Sequence, residues 1–181
     1  MRPDASVHVV SHTHWDREWY LPFEEFRAKL VRLIDGLLDI LETDPGFACF
    51  TLDGQTIVLG DYLRLRPENQ GRVETLVRAG RLLIGPWYVL PDEALVSGES
   101  LIRNLERGLR DSSEFGGAMP VGYVPDTFGH TADLPTVLRL MNLETACLWR
   151  GVGGEVNSQA FRWRAPSGAE VVVAYLANSY S

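Results

Sequence analysis

A chain of 181 residues, 45% apolar and 23% charged, is long enough for one domain with its own hydrophobic core and has the balance of an ordinary globular protein. Its formal net charge of -7 argues against a nucleic-acid partner, which would call for a basic footprint. No apolar run reaches the roughly 20 residues of a membrane-spanning helix, so no membrane partner is expected either.

The opening MRPDASVHVVSH holds too short an apolar stretch for a secretory signal. The only two cysteines, Cys49 and Cys147, fall in apolar strand-like runs. That reads as buried free thiols in a reducing compartment, and a cytoplasmic protein is the expectation.

Short apolar runs alternate with amphipathic stretches, the mark of an α/β domain. VHVVSH (7–12) predicts a buried strand, continuous in apolar residues as a parallel strand covered on both faces should be. After Pro22, the residues Phe23, Phe26, Leu30, Ile34, Leu37 and Leu41 recur at three- and four-residue steps and predict one long helix, stopped by Asp44-Pro45-Gly46. FACFTLD (47–53) predicts the second strand, and a helical region follows from about Thr56 to Ala79, interrupted near Pro67. LLIGPWYV (82–89) predicts the third strand; an acidic, Pro-containing loop leads from it into the helix ESLIRNLERGLRD. VGYVPD (121–126) is the fourth strand, about 133–141 a helix, and TACLWR (145–150) the fifth strand. FRWRAPSGAEVVVAYL then predicts a hairpin about the turn Pro166-Ser167-Gly168. The chain stops directly after a strand, where a β/α unit would continue into its helix, and so reads as incomplete at its C-terminal end. The expected fold is a set of parallel β/α units, in an open sheet or a barrel, with an antiparallel excursion near the end.

Catalytic groups of parallel α/β folds collect at the carboxyl ends of strands, and acidic clusters fall at such places here. In SHTHWDREW (11–19), His12, His14 and Asp16 sit at alternate positions and share a face if the strand stays extended. Imidazole with carboxylate suits zinc, although the pattern alone does not choose between His12 and His14, and polar residues in a turn are the plain alternative. In GYVPDTFGHT (122–131), Asp126 ends a strand; it could equally start a turn or cap a helix, and gains weight only beside the first cluster. Trp87, Tyr88, Asp92 and Glu93 could face the same mouth, with the aromatics as sugar platforms or as core. Arg150 could contact substrate hydroxyls or a carboxylate, or form a surface ion pair. Asp53, in LDGQT, reads as a turn residue.

Four segments in this order, VVSHTHWDREW, FTLDGQT, IGPWYVLPDEALVSGESLIRNLERG and YVPDTFGHT, resemble the N-terminal catalytic region of glycoside hydrolase family 38, in particular the bacterial branch of α-mannosidases and mannosylglycerate hydrolases. The resemblance runs from about residue 7 to 181 and implies a truncated seven-stranded β/α barrel and a retaining α-mannosidase with one zinc ion. By position it implies His14, Asp16 and Asp126 as metal ligands, with His12 in a supporting place beside them. Asp126 would also be the nucleophile; Trp19, Phe128 and Arg150 would meet the substrate. The family's fourth ligand is a histidine much further along, whereas the histidines here are 8, 12, 14 and 130, and its acid/base aspartate also lies beyond residue 181. The implied partner is an α-mannoside or a mannosylglycerate-like substrate, with self-association left open. A zinc deacetylase or amidohydrolase, which also gathers His and Asp at strand ends, and a non-catalytic sugar-binding module are the other readings.

Overall fold

The computed structural model describes residues 8–180. Val7, the first residue of the expected opening strand, lies outside them with the residues before it, as does Ser181. β1 (His12–Thr13) pairs in parallel with β2 (Phe50–Leu52), and β2 with β3 (Leu82–Leu83). β4 (Gly122–Val124) pairs in parallel with β5 (Thr145–Leu148), and β5 with β7 (Glu170–Tyr175); β6 (Ala160–Arg164) closes this sheet antiparallel to β7. Two ladders of three and four strands result. They meet where the Met119 amide donates to the Ile84 carbonyl at 2.9 Å, beside the end of β3.

The helices follow their apolar spacing. α1 (Phe23–Thr43) buries Phe26, Leu30, Ile34, Leu37, Leu38 and Leu41, one stripe along its length. α2 (Ile57–Leu63) and α3 (Gln70–Arg78) are separated by a single 3-10 turn at Pro67–Asn69, where proline fixes φ and brings no amide hydrogen. α1 to α3 close over Leu52 and Leu82 as one core, and α4 (Gly98–Phe115) with α5 (Leu134–Leu140) close over Val124, Leu148 and Val173 as a second. Ser97 caps α4 by accepting the Ser100 amide at 3.2 Å. A Cβ on Gly108 would lie 2.1 Å from the Pro86 carbonyl oxygen, so only glycine lets α4 rest on the backbone that leaves β3.

The strands are shorter than the apolar runs suggest. Val9 and Val10 are exposed and outside β1, because β1 has a ladder partner on one side only among the described residues. β3 stops at Leu83: Gly85 takes a left-handed φ of 64°, and Pro86 has no amide hydrogen to give a ladder. Trp87 still touches the sheet through one bridge to Gln55.

Candidate active site

Every parallel strand of the two sheets points its carboxyl end toward one mouth, and the loops there carry the polar residues. His14 follows β1, Asp53 follows β2, Asp126 follows β4, Trp149 and Arg150 follow β5, and Tyr180 comes after β7. The residues singled out in the sequence, His12, His14, Asp16, Trp19, Asp126, Phe128 and Arg150, all line one cavity of about 740 Å³, together with Glu18, Trp149 and Tyr180. A smaller recess of about 180 Å³ adjoins it between Asp16, Asp92 and Asp126.

The centre of the arrangement is the His14 imidazole. Its Nε2 stands 3.4 Å from Asp16 Oδ1 and 3.4 Å from Asp126 Oδ2, while Nδ1 faces Asp53 Oδ2 at 3.6 Å, long for a hydrogen bond and therefore a contact of charge. Burial alone would lower the His14 pKa; the facing carboxylate of Asp53, then Asp16 and Asp126, outweigh it and hold the group above its ordinary 6.5.

Asp53 is more than a turn residue. Its carboxylate has no exposed surface, and it accepts the Trp15 and Gly54 amides at 2.9 Å each and the Gln55 side-chain amide at 2.9 Å. Gln55 also donates to the Trp15 carbonyl at 2.7 Å, which stitches the loop after β1 to the loop after β2. Asp53 sits at φ 47°, a left-handed conformation that aspartate tolerates better than most side chains. Nothing in Asp-Gly distinguishes this arrangement from an ordinary turn; the strand-end position was the one available signal.

Asp126 is held from both sides. Arg150 Nε donates to its Oδ1 at 2.5 Å, leaving Oδ2 to His14. The Arg150 guanidinium lies between aromatic rings, 4.0 Å from the Trp149 centroid and 4.6 Å from that of Phe128, contacts that fix a flexible side chain. Tyr180, unremarked in the sequence, packs on His12, His14 and Trp149 with ring centroids 5.9, 5.7 and 5.0 Å apart. Trp19 and Phe128 leave most of their surface open to the cavity and solvent, a placement suited to the flat apolar face of a sugar. Arg17 anchors the same loop by a two-pronged pair to the buried Asp61 at 2.6 and 3.0 Å.

Other candidates go elsewhere. Trp87 is fully buried in the second core, and Tyr88 lies under Arg107 of α4 at 4.9 Å, so neither is a sugar platform at this mouth. Glu93 turns away from the cavity to His130. His12 is part of the cavity wall, where its Nδ1 has no hydrogen-bond partner.

Among the described residues, no group of three or more His, Cys, Asp or Glu is arranged so that it could hold a metal ion as it stands. The donors nevertheless converge on His14 Nε2, one nitrogen with an oxygen from each of two carboxylates. That mixed set fits zinc or a similar cation in chemistry, and the carboxylate behind the imidazole is the usual way to orient a ligating histidine.

Residues 4–181 match the model of the glycosyl hydrolases family 38 N-terminal domain. A protein of Halalkalibacterium halodurans provisionally named a mannosylglycerate hydrolase is 43% identical over 97% of this chain, which spans 21% of that protein. Human alpha-mannosidase 2C1 is 27% identical over 93% of the chain and 16% of its own length. The crystal structure of an alpha-mannosidase from Enterococcus faecalis V583 superposes with a TM-score of 0.91 at 44% identity, over 95% of this chain and 20% of that one. The chain thus spans about a fifth of the length of these bacterial relatives. These matches set aside the deacetylase and amidohydrolase alternative: the chain belongs to glycosyl hydrolase family 38, as its N-terminal domain.

Proposed function

We propose that this chain is the nucleophile-bearing and metal-binding part of a retaining α-mannosidase-type glycoside hydrolase, acting on α-mannosides or on a mannosylglycerate-like substrate. The observation that carries the reading is the divided environment of Asp126: one oxygen meets Arg150, the other faces His14, and the carboxylate opens on a cavity flanked by exposed Trp19 and Phe128. Its two sheets would be consecutive parts of a seven-stranded β/α barrel, a fold that puts its chemistry at the strands' carboxyl ends.

Asp126 would attack the anomeric carbon: its Oδ–C1 bond forms as the glycosidic C1–O bond breaks, and water later releases the sugar with retained configuration. Arg150 holds one Asp126 oxygen so that the carboxylate is aimed before the substrate arrives. Retention needs a second carboxyl group about 5–5.5 Å from the first, and we assign that group, with a further histidine ligand, to sequence beyond residue 181. His14, Asp16 and Asp126 would hold one zinc ion, with Asp53 setting the His14 ring. The ion would supply Lewis-acid attraction for sugar hydroxyls. A cytoplasmic setting goes with this reading, on the support of the two free thiols, Cys49 and Cys147. No helix among the described residues is long and apolar enough to cross a membrane.

The test uses a fluorinated mannosyl fluoride, whose leaving group departs without a proton donor. Attack by Asp126 forms the Oδ–C1 bond and expels fluoride. Mass spectrometry is expected to find the fluoromannosyl adduct on a peptide containing Asp126, in the presence of zinc and not in Asp126→Asn. An adduct on another residue would remove Asp126 as the nucleophile, and mannose binding by calorimetry with no zinc dependence and no adduct would return the chain to a sugar-binding module.

A further inference from the structure

His130, four residues after Asp126, lines a different cavity from the one described above, yet its ring is fully engaged. Nδ1 lies 2.8 Å from Glu93 Oε1 and Nε2 lies 3.1 Å from the Arg150 carbonyl oxygen. The Glu93 side chain is wholly buried and that of His130 is 4% exposed. The other Glu93 oxygen accepts the Thr131 amide at 2.9 Å. A carbonyl only accepts, so Nε2 donates its hydrogen to Arg150, and a single hydrogen lies between Nδ1 and Glu93.

The Arg150 main chain is thereby fixed twice. Its amide donates to the Pro125 carbonyl at 3.2 Å, and its carbonyl receives His130. Pro125 and His130 flank Asp126 in sequence, so both fastenings tie the loop after β5 to the loop after β4. Gly151 completes the contact at φ 74°; a Cβ there would lie 2.8 Å from the His130 ring. On the far side, Trp163 of β6 meets His130 edge-on at 5.6 Å between centroids. The side chain of the residue so fastened is the one that reaches Asp126.

We propose that Glu93 and His130 are positioning residues for Arg150, bolting the loops after β3, β4 and β5 together so that the guanidinium meets Asp126 in one geometry. The inference deepens the reading of Asp126 as nucleophile and rests on it for its catalytic meaning, while the clamp itself stands on contacts that need no substrate. A buried carboxylate–imidazole pair is costly to desolvate and strongly disruptive to halve, which suits a joint that must not slip. The Asp126–Arg150 pair it serves is partly open to water and, left alone, would hold its geometry weakly.

Nitrogen-15 NMR on the whole chain tests this without a mannoside, so a failure of the mannosidase reading would leave the result standing. In the unaltered protein, His130 Nε2, which faces the Arg150 carbonyl, is expected to show bound hydrogen. The Arg150 Nε–H signal, identified by its loss in Arg150→Lys, is expected to exchange with water about tenfold more slowly than that of the exposed Arg103. His130→Phe and Glu93→Gln are each expected to bring Arg150 toward the Arg103 rate, with Glu93→Asp recovering part of the protection. The amide signals of α5 and β7, which belong to the core that His130 adjoins, report that the variants remain folded. A His130 Nε2 without hydrogen in the unaltered protein would overturn the proposal, as would Arg150 protection that either folded variant leaves unchanged.

Discussion

The half of the molecule built on β1–β3 and the half built on β4–β7 hold their polar groups at the mouth by different means. In the first, a carboxylate with no exposed surface, Asp53, gathers amide hydrogens from Trp15, Gly54 and Gln55 and faces the His14 ring at 3.6 Å. In the second, Asp126 stays partly open and is oriented by Arg150, whose own backbone is fastened to the β4 loop. The difference matches the tasks proposed. A ligating imidazole needs a rigid orientation that metal does not have to impose, so its support can be buried. A nucleophilic carboxylate has to reach substrate, so its support acts from the side and leaves one oxygen free.

The sharpest way to break that contrast is Asp53→Ala. It leaves the Trp15 and Gly54 amides without their acceptor and the buried Gln55 side chain with the Trp15 carbonyl alone, and loss of several charge-assisted hydrogen bonds at such a site is expected to destabilise the chain by about 3–5 kcal/mol. Asp53→Asn keeps the shape and tolerates the left-handed backbone, so its cost should be clearly smaller. Urea unfolding monitored by circular dichroism measures both. Equal costs for the two variants would mean that the carboxylate charge, which both remove, organises the first half and that the shape Asn keeps contributes nothing.

Sequence revealed the two halves unequally. The stripe on α1, the break at Pro67 and the helices before and after β4 were legible because a 3.6-residue period survives any tertiary setting. Strand lengths were not: apolar residues continue past Leu83 and precede His12, and only pairing partners decide where a ladder ends. At the site, His14, Asp16 and Asp126 were recognisable by residue type and strand-end position, and Arg150 and Phe128 by their motifs. Asp53 was marked by its strand-end position alone, because LDG is spelled alike in a buried network and in a surface turn. The Glu93–His130 joint spans 37 positions and has no local spacing to betray it. Tyr180 reaches the mouth only because β7 inserts between β5 and β6.

A second probe asks whether the inner face of the second sheet is as dry as the first half's network. Cys147 of β5 borders an apolar cavity of about 580 Å³ with Leu83, Met119 and Tyr123, and burial pushes its thiol up to about 11 from 9.0. The neutral thiol is the form the fold favours. Its contribution to stability is therefore complete below the ordinary value and lost as pH rises through about 11. Near pH 8 the thiolate fraction, and with it the alkylation rate by iodoacetamide, should be about a hundredfold below that of an ordinary thiol, and urea should restore it. An ordinary rate in the folded chain would mean that water reaches β5 from the cavity.

The smallest effect is the one that reads the first half most directly. His14 is raised above 6.5 because Asp53, Asp16 and Asp126 outweigh the opposing effect of its burial. A raised folded value means that, in the chelator-treated chain, the stability His14 contributes is fully present below pH 6.5 and is lost as pH rises through the folded value. A cation competes for the same nitrogen, so zinc should bind progressively more weakly as pH falls below that value. NMR titration of the His14 ring should place its midpoint above 6.5, and Asp53→Asn should move it down, since it removes the charge facing Nδ1 while leaving the ring buried. Asp126→Asn removes a weaker influence, the last in rank on His14, and should move the midpoint less. The reverse order would place control of the imidazole in the second half, with the nucleophile's loop, and Asp53 would then be a fastening for the Trp15 backbone alone.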